Sequence, residues 1–172
     1  HISNTPRQIL IQKALGFSMP VYAHLPLLLM PDRSKMSKRK HPESAVKKFR
    51  DAGYLPEAFI NYIALLGWNP GTDQEIFSRD ALIEAFELSK IHKAGAIYSE
   101  EKLKWFNREY LLALSHEEFT RQVLPYIENA ARARGFKPSA SIIESIVPLI
   151  RERVSVWSEV TQSIEVGEYD FM

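Results

Sequence analysis

A mainly α-helical chain, entered through the closing helix–strand piece of a parallel sheet, is predicted from three observations. Leu25-Pro26-Leu27-Leu28-Leu29-Met30 is a short run, apolar on both faces, and Pro31-Asp32 ends it as a turn. From residue 44 onward apolar residues recur at helical spacing, and no alternating strand pattern is evident. Helix starts and stops punctuate this region: Ser44, Pro56, Ser99 and Ser115 open helices, and Gly53 and Gly67 close them.

Each element follows from its residues. Thr5-Pro6-Arg7-Gln8 reads as a helix start with Thr5 as cap and Gln8 as capping-box amide; Gly16 stops that helix. The strand over residues 25–30 is expected to be buried, and a single strand leaves an edge that invites pairing between chains. A helix through Ala52 is expected next. The one from Pro56 carries Ala58, Phe59, Tyr62, Ile63 and Leu66 on one face. Asn69-Pro70-Gly71 is a turn, residues 79–87 a helix, and Ser99 opens a short helix ending at Phe106 or Asn107. Ser115-His116-Glu117-Glu118 is a capping box, so a helix runs over 116–134 with a kink or break at Pro125. Gly135 to Pro138 is a linker. Further helices run from about Ser141, around Pro148, and from Arg151 to Ile164.

Composition narrows the function. With 172 residues and no cysteine, the chain suits one domain or two small ones, without disulfides or thiolate metal sites. No apolar run approaches a membrane span. The formal net charge of +1 hides an asymmetry. Residues 1–50 hold ten Lys or Arg against two acids, a net of +8, and the remainder holds twelve against nineteen, a net of −7. Contact with a polyanion is therefore expected in the first third.

The densest cationic stretch is Arg33, Lys35, Lys38, Arg39 and Lys40, directly after the apolar run. By itself it fits a solvated or nuclear-localisation-like loop as well as a phosphate site at a strand end. The order of residues decides. Lys35-Met36-Ser37-Lys38-Arg39 resembles the second signature loop of class I aminoacyl-tRNA synthetases. Its surroundings resemble the glutamyl-tRNA synthetase branch: His1-Ile2-Ser3-Asn4-Thr5-Pro6-Arg7-Gln8, His24-Leu25-Pro26-Leu27-Leu28, Gly53-Tyr54-Leu55-Pro56-Glu57-Ala58, Asn61 to Trp68, and Glu101-Lys102-Leu103-Lys104-Trp105-Phe106-Asn107. The likeness is dense to about residue 110 and compositional beyond.

That resemblance implies three parts. Residues 1–43 would be the end of a Rossmann-type α/β catalytic domain. Residues 44–114 would be a helical stem-contact bundle, and 115–172 the start of an all-helical anticodon-binding domain. It implies a ligase that activates glutamate with ATP and passes it to tRNA(Glu) in the cytoplasm. Mg²⁺ would arrive with ATP, and no zinc is expected. Lys38 and Lys35 are the expected catalytic cations. Lys35, Met36, Ser37, Lys38 and Arg39, with His1 near the adenosine and the backbone of Leu28 or Leu29 against adenine, form the expected nucleotide set. Lys40 and His41 read as solvated flanks.

Lys47, Lys48, Arg50, Lys102, Lys104 and Arg108 are the expected tRNA contacts. The aromatic set Tyr54, Phe59, Tyr62, Trp68, Trp105 and Phe106 has base-stacking chemistry, but its helical spacing reads as core. For Arg132, Arg134, Arg151 and Arg153, phosphate binding and solvated helix faces both stay open. The family's His-x-Gly-His loop and amino-acid pocket do not occur in this sequence. The chain therefore reads as a fragment, expected to be inactive alone. Two alternatives stand beside this reading: a glutaminyl or non-discriminating enzyme, and a non-catalytic helical RNA-binding module.

Overall fold

A computed structural model describes residues 1–37, 39, 40, 42 and 45–170. Asn4, not Thr5, holds the N-cap position of helix α1 (Thr5–Ala14), with no capping bond from its side chain. The Thr5 hydroxyl donates instead to the His1 carbonyl at 3.0 Å, which draws Thr5 into the first turn. Gly16, at φ +71°, takes the chain out of the helix. No residue of α1 is buried.

The expected buried strand is two residues long and largely exposed. β1 (Leu28–Leu29) is paired, while Leu25 and Leu27 are 65% and 52% exposed. Its partner is β2 (Ala96–Ile97), parallel, with Leu28 opposite Ala96 and Leu29 opposite Ile97. No strand was expected there, because two residues are too few to display alternation. β2 exists through long-range bonding: Ala96 N–H donates to the Leu27 carbonyl at 3.0 Å and Tyr98 N–H to that of Leu29 at 2.8 Å. Gly95 permits the approach, since a Cβ there would lie 2.7 Å from Leu29 Cδ1.

The chain then reverses. Met30 N–H donates to the Ser34 carbonyl at 2.8 Å, and the Asp32 carboxylate accepts from Ser34 N–H at 2.8 Å. Arg33 sits in the left-handed region at φ +63°. Lys35 thereby returns opposite Leu29 in an antiparallel bridge.

Four helices build the middle of the chain: α2 (Val46–Ala52), α3 (Pro56–Gly67), α4 (Arg79–Ala85) and α5 (Glu100–Ala113). Ser44, the expected cap of α2, lies outside the described residues. Ser78 and Ser99 cap α4 and α5 by accepting from Ala81 and Lys102 N–H. α5 runs well past the expected end because Leu103, Phe106, Asn107 and Leu111 keep one face buried. Tyr62, Leu103 and Phe106 form a core with Phe49, Tyr54, Phe59 and Tyr98 around it; Trp68, Phe77 and Leu82 form a second. Ile63, expected in that core, is 43% exposed, and Asn61 takes a buried place. The Asn61 amide oxygen accepts from Phe77 N–H at 2.9 Å and the Tyr110 hydroxyl at 2.8 Å, so the oxygen side of this buried amide is satisfied.

Three helices complete the chain: α6 (His116–Ala133), α7 (Ala140–Arg153) and α8 (Trp157–Glu165). Only half of the expected capping box forms. Glu118 N–H bonds the Ser115 hydroxyl, but the Glu118 carboxylate turns to Arg121 and Gln122. The guanidinium of Arg121 holds that carboxyl down at about 2. Neither Pro125 nor Pro148 interrupts its helix. Both are exposed, as are Arg121 and Glu144 four residues earlier, so each freed carbonyl meets water. The expected break at Pro148 falls instead at 154–156.

Candidate functional site

The cationic loop begins where β1 ends. Met36 N–H donates to the Leu28 carbonyl at 3.0 Å, so the entry of the loop is a sheet edge, not free coil. Lys35, Arg39 and Lys40 are exposed, and Met36 and Ser37 half-buried. Lys40 N–H folds back to the Ser37 carbonyl at 3.1 Å. Lys38 and His41 lie outside the described residues. Exposed cations on a backbone anchored at one end give that rim a positive field that can attract an anion.

Leu29 is half-buried, and its carbonyl is engaged by Tyr98 N–H. His1 is exposed, 3.3 Å from the Asn4 amide. With Ser3, His24, Ser89, His92 and Lys93 it lines an open groove of about 920 Å³, to which no described residue of 35–40 contributes. His24 Nε2 lies 3.4 Å from the Thr5 hydroxyl. Among the described residues no cluster of three or more His, Asp or Glu could hold a metal ion.

The expected RNA-facing cations fall into two groups. Lys47, Lys48 and Arg50 are exposed on α2. Lys47 pairs with Asp51, which Arg50 approaches to 3.7 Å, and the Lys47 hydrogen bond holds the Asp51 carboxyl below its usual value. The α5 group is tied inward. Lys102 pairs with Glu75, Lys104 lies 3.1 Å from Glu159, and Arg108 donates to the carbonyls of Glu152 and Val154. Burial raises the Glu159 carboxyl, but Ser155 N–H, Lys104 and Val156 N–H outweigh it and leave it below its usual value.

The later arginines are also engaged. Arg134 binds Asp170, Arg153 pairs with Glu168, and Arg151 donates to the carbonyls of Leu112 and Leu114 while lying 5.3 Å over Phe119. Of the six aromatics, only Trp105 is exposed, at 40%; the others pack in the two cores. The core reading holds for five of the six and not for Trp105.

Two residues of the site's frame were not evident from sequence. Asn107 is fully buried. Its oxygen accepts from Leu55 N–H at 2.7 Å and its amide donates to the Ser155 carbonyl at 2.6 Å. Tyr98 follows β2 and packs on both Phe49 and Tyr62. Asn107 carried a weak signal, a lone amide on an apolar helix face; Tyr98 carried none.

Residues 1–105 match the family model described as tRNA synthetases class I (E and Q), catalytic domain. The glutamate–tRNA ligase of Moorella thermoacetica is 42% identical over 169 residues, covering 95% of this chain and 34% of its own length. That of Desulforamulus reducens is 40% identical over 168 residues, covering 96% and 35%. In structure, the glutamate-tRNA synthetase of Elizabethkingia anophelis aligns with TM-score 0.77 at 34% identity, over 94% of this chain and 35% of that one. The chain thus spans about a third of the length of the relatives it matches.

Proposed function

Since this chain belongs to the class I tRNA synthetases for glutamate and glutamine, we propose that it is a segment of a glutamate–tRNA ligase. The whole enzyme activates glutamate with ATP to glutamyl-adenylate, releasing pyrophosphate, and passes the glutamyl group to tRNA(Glu). The division proposed is the end of the catalytic domain over 1–43, the stem-contact helices over 44–114 and the start of the anticodon-binding helices over 115–172. Its compartment, with protein synthesis, is the cytoplasm.

The observation that carries this reading is the Lys35–Arg39 loop, hung from a strand end with its described cations exposed. In the activation step a glutamate carboxylate oxygen bonds the α-phosphorus, and the bond to pyrophosphate breaks. Negative charge gathers on the leaving phosphates, so cations aimed there stabilise the transition state more than the ground state. Lys38 and Lys35 take that role, with Arg39 in support. The Met36 and Ser37 backbone follows the phosphates, His1 lies near the adenosine, and the Leu29 backbone lies against adenine.

Mg²⁺, when bound, neutralises phosphate charge. The donor set fits an ion carried by ATP: the loop is cationic, and Asp32 beside it already accepts from Ser34. Lys47, Lys48 and Arg50 face the tRNA phosphates, and Lys102, Lys104 and Arg108 join them by exchanging Glu75, Glu159 and the carbonyls of Glu152 and Val154 for phosphate oxygens. Relatives bearing the glutamate name favour glutamate over glutamine.

The test is Lys38→Ala in the full-length enzyme containing this chain. Losing one transition-state donor costs roughly 3–4 kcal/mol, so glutamate-dependent pyrophosphate exchange falls at least tenfold with the fold kept. A rate near wild type removes Lys38 from the mechanism. Residues 1–172 alone are expected to show no exchange; activity from them would refute the assignment of the amino-acid pocket to other parts of the enzyme.

A further inference from the structure

We propose that Glu159 stands in for a tRNA phosphate at Lys104 in the free enzyme, an intramolecular competitor that incoming RNA displaces; this rests on the reading of the α5 cations as tRNA contacts. Lys104 does not take the partner its own helix offers. Glu100 precedes it by four residues, the order and spacing of a favourable local pair, and is exposed. The ammonium reaches instead to Glu159 on α8, at 3.1 Å. Glu159 is a preorganised acceptor. It is half-buried, one carboxylate oxygen faces Lys104, and the other accepts from Ser155 N–H at 2.7 Å and Val156 N–H at 3.3 Å. Burial raises this carboxyl, but those donors and Lys104 lower it by more, so it is ionised at neutral pH.

An anion so placed brings to the ammonium the same charge and the same kind of acceptor oxygen as a phosphodiester. The exchange disturbs the protein little. When Lys104 turns to a phosphate, Glu159 keeps both backbone donors, and its other oxygen meets water on a side chain that is 29% exposed. Lys104 is itself 41% exposed and reaches solvent without repacking. Arg108, one turn further along α5, is held more firmly. It donates to the carbonyls of Glu152 and Val154, and its withdrawal takes a donor from the buried Val154. Glu159 therefore lowers the affinity of α5 for RNA through Lys104, while its own place at the start of α8 does not depend on that lysine. Linkage gives the sign. Removing the charge at position 159 strengthens tRNA binding, and does so only while Lys104 is present to be freed.

The experiment measures the Kd for tRNA(Glu) at one fixed salt concentration for the full-length wild type, Glu159→Gln, Lys104→Ala and the double variant. Glu159→Gln keeps an acceptor oxygen for the Ser155 N–H and loses only the charge. It is expected to bind tRNA about two- to fivefold more tightly than wild type, the range open to a partly exposed ion pair. In the Lys104→Ala background the same change is expected to shift Kd by less than about 1.5-fold, since the two side chains act through one contact. Unchanged or weaker binding by Glu159→Gln overturns the proposal. So does an equal gain in both backgrounds, because Glu159 would then be a repelling charge and not the occupant of Lys104. Should Glu159→Gln fail to melt cooperatively, Glu159→Asp, which draws the carboxylate back from Lys104 by one methylene, is scored by the same cycle. A wild type that binds no tRNA sinks the ligase reading and the competitor with it. A wild type that binds tRNA while Glu159→Gln binds no tighter sinks the competitor alone.

Discussion

Asn107→Ala tests the joint between the middle helices and the tail. Its side chain bridges the Leu55 N–H and the Ser155 carbonyl, residues on either side of α5 that are far apart in sequence. Truncation removes two hydrogen bonds, each worth about 1 kcal/mol net, and leaves a donor and an acceptor beside a fully buried position, which adds about 1–3 kcal/mol if one stays unsatisfied. The expected loss is therefore about 3 kcal/mol. With an m-value of roughly 2 kcal/mol/M for urea at this size, the midpoint drops by about 1.5 M. Tryptophan fluorescence reports it, since Trp68 and Trp157 are buried in separate cores. Asn107→Asp separates bridging from packing. It keeps an acceptor for Leu55 but sets a carboxylate oxygen against the Ser155 carbonyl. The charged form is then disfavoured and the introduced carboxyl's folded pKa raised. Stability relative to wild type is thus recovered as pH falls and lost as it rises. A midpoint shift below about 0.2 M for Asn107→Ala, or no pH dependence for Asn107→Asp, would refute the bridging argument.

Three further outcomes follow from single contacts. Gly53 sits at φ +84° with its Cβ position 2.5 Å from Trp157 Cβ, whereas Gly135 at φ +83° has nothing within 4 Å. Gly135→Ala should cost about 1–2 kcal/mol of backbone strain, and Gly53→Ala about 1–3 kcal/mol more for the clash; equal losses in denaturant would remove the Trp157 contact as the cause. Burial raises the Tyr54, Tyr62, Tyr110 and Tyr126 phenols above their usual value of 10. The unfolded chain then ionises first, so stability is full below pH 10 and declines above it; a urea midpoint constant from pH 9 to 11 contradicts this. Binding of tRNA to the full-length enzyme should weaken steeply with salt, and Lys48→Ala should reduce the slope by about one; an unchanged slope takes Lys48 off the phosphates.

Local signals were legible in the sequence wherever neighbours in the chain enforce them. Ser99 and Ser115 each accept a backbone N–H three residues on, as helix-opening positions require. The aromatic core was legible for the same reason, because helical spacing puts Tyr62 and Phe106 on inward faces. What failed depended on distant partners. β2 has no pattern of its own and exists only because Leu27 and Leu29 supply acceptors. The burial expected for residues 25–30 presumed sheet neighbours, and among the described residues β1 pairs only with β2 and the Lys35 return. Pro148 was read as a breaker because sequence does not reveal that it faces water. The cationic loop was legible as a motif; the tie at its entry was not, since the Tyr98 N–H reaches the Leu29 carbonyl only through the tertiary fold.

Helix α1 carries the last consequence. It buries no residue, and Leu10 and Ile11 are largely exposed, so its described tertiary ties are few: Thr5 lies near His24, and the Tyr22 hydroxyl donates to Gln12 at 2.6 Å. A ten-residue helix on its own is marginal in water, because nucleation fixes several residues before hydrogen bonding repays them. In contrast α6 places Phe119, Val123, Ile127 and Ala130 in the main core. In residues 1–172 alone, amides of Ile9 to Ala14 should therefore exchange with solvent within about tenfold of the unstructured rate, while α6 amides open only with global unfolding. In the full-length enzyme the same α1 amides should become protected, because the proposed catalytic domain covers the apolar face that α1 presents. Strong protection of α1 in the short chain would show that its own neighbours suffice to hold it. Continued fast exchange in the long one would leave its exposed leucines and isoleucines without the partner that the ligase reading supplies.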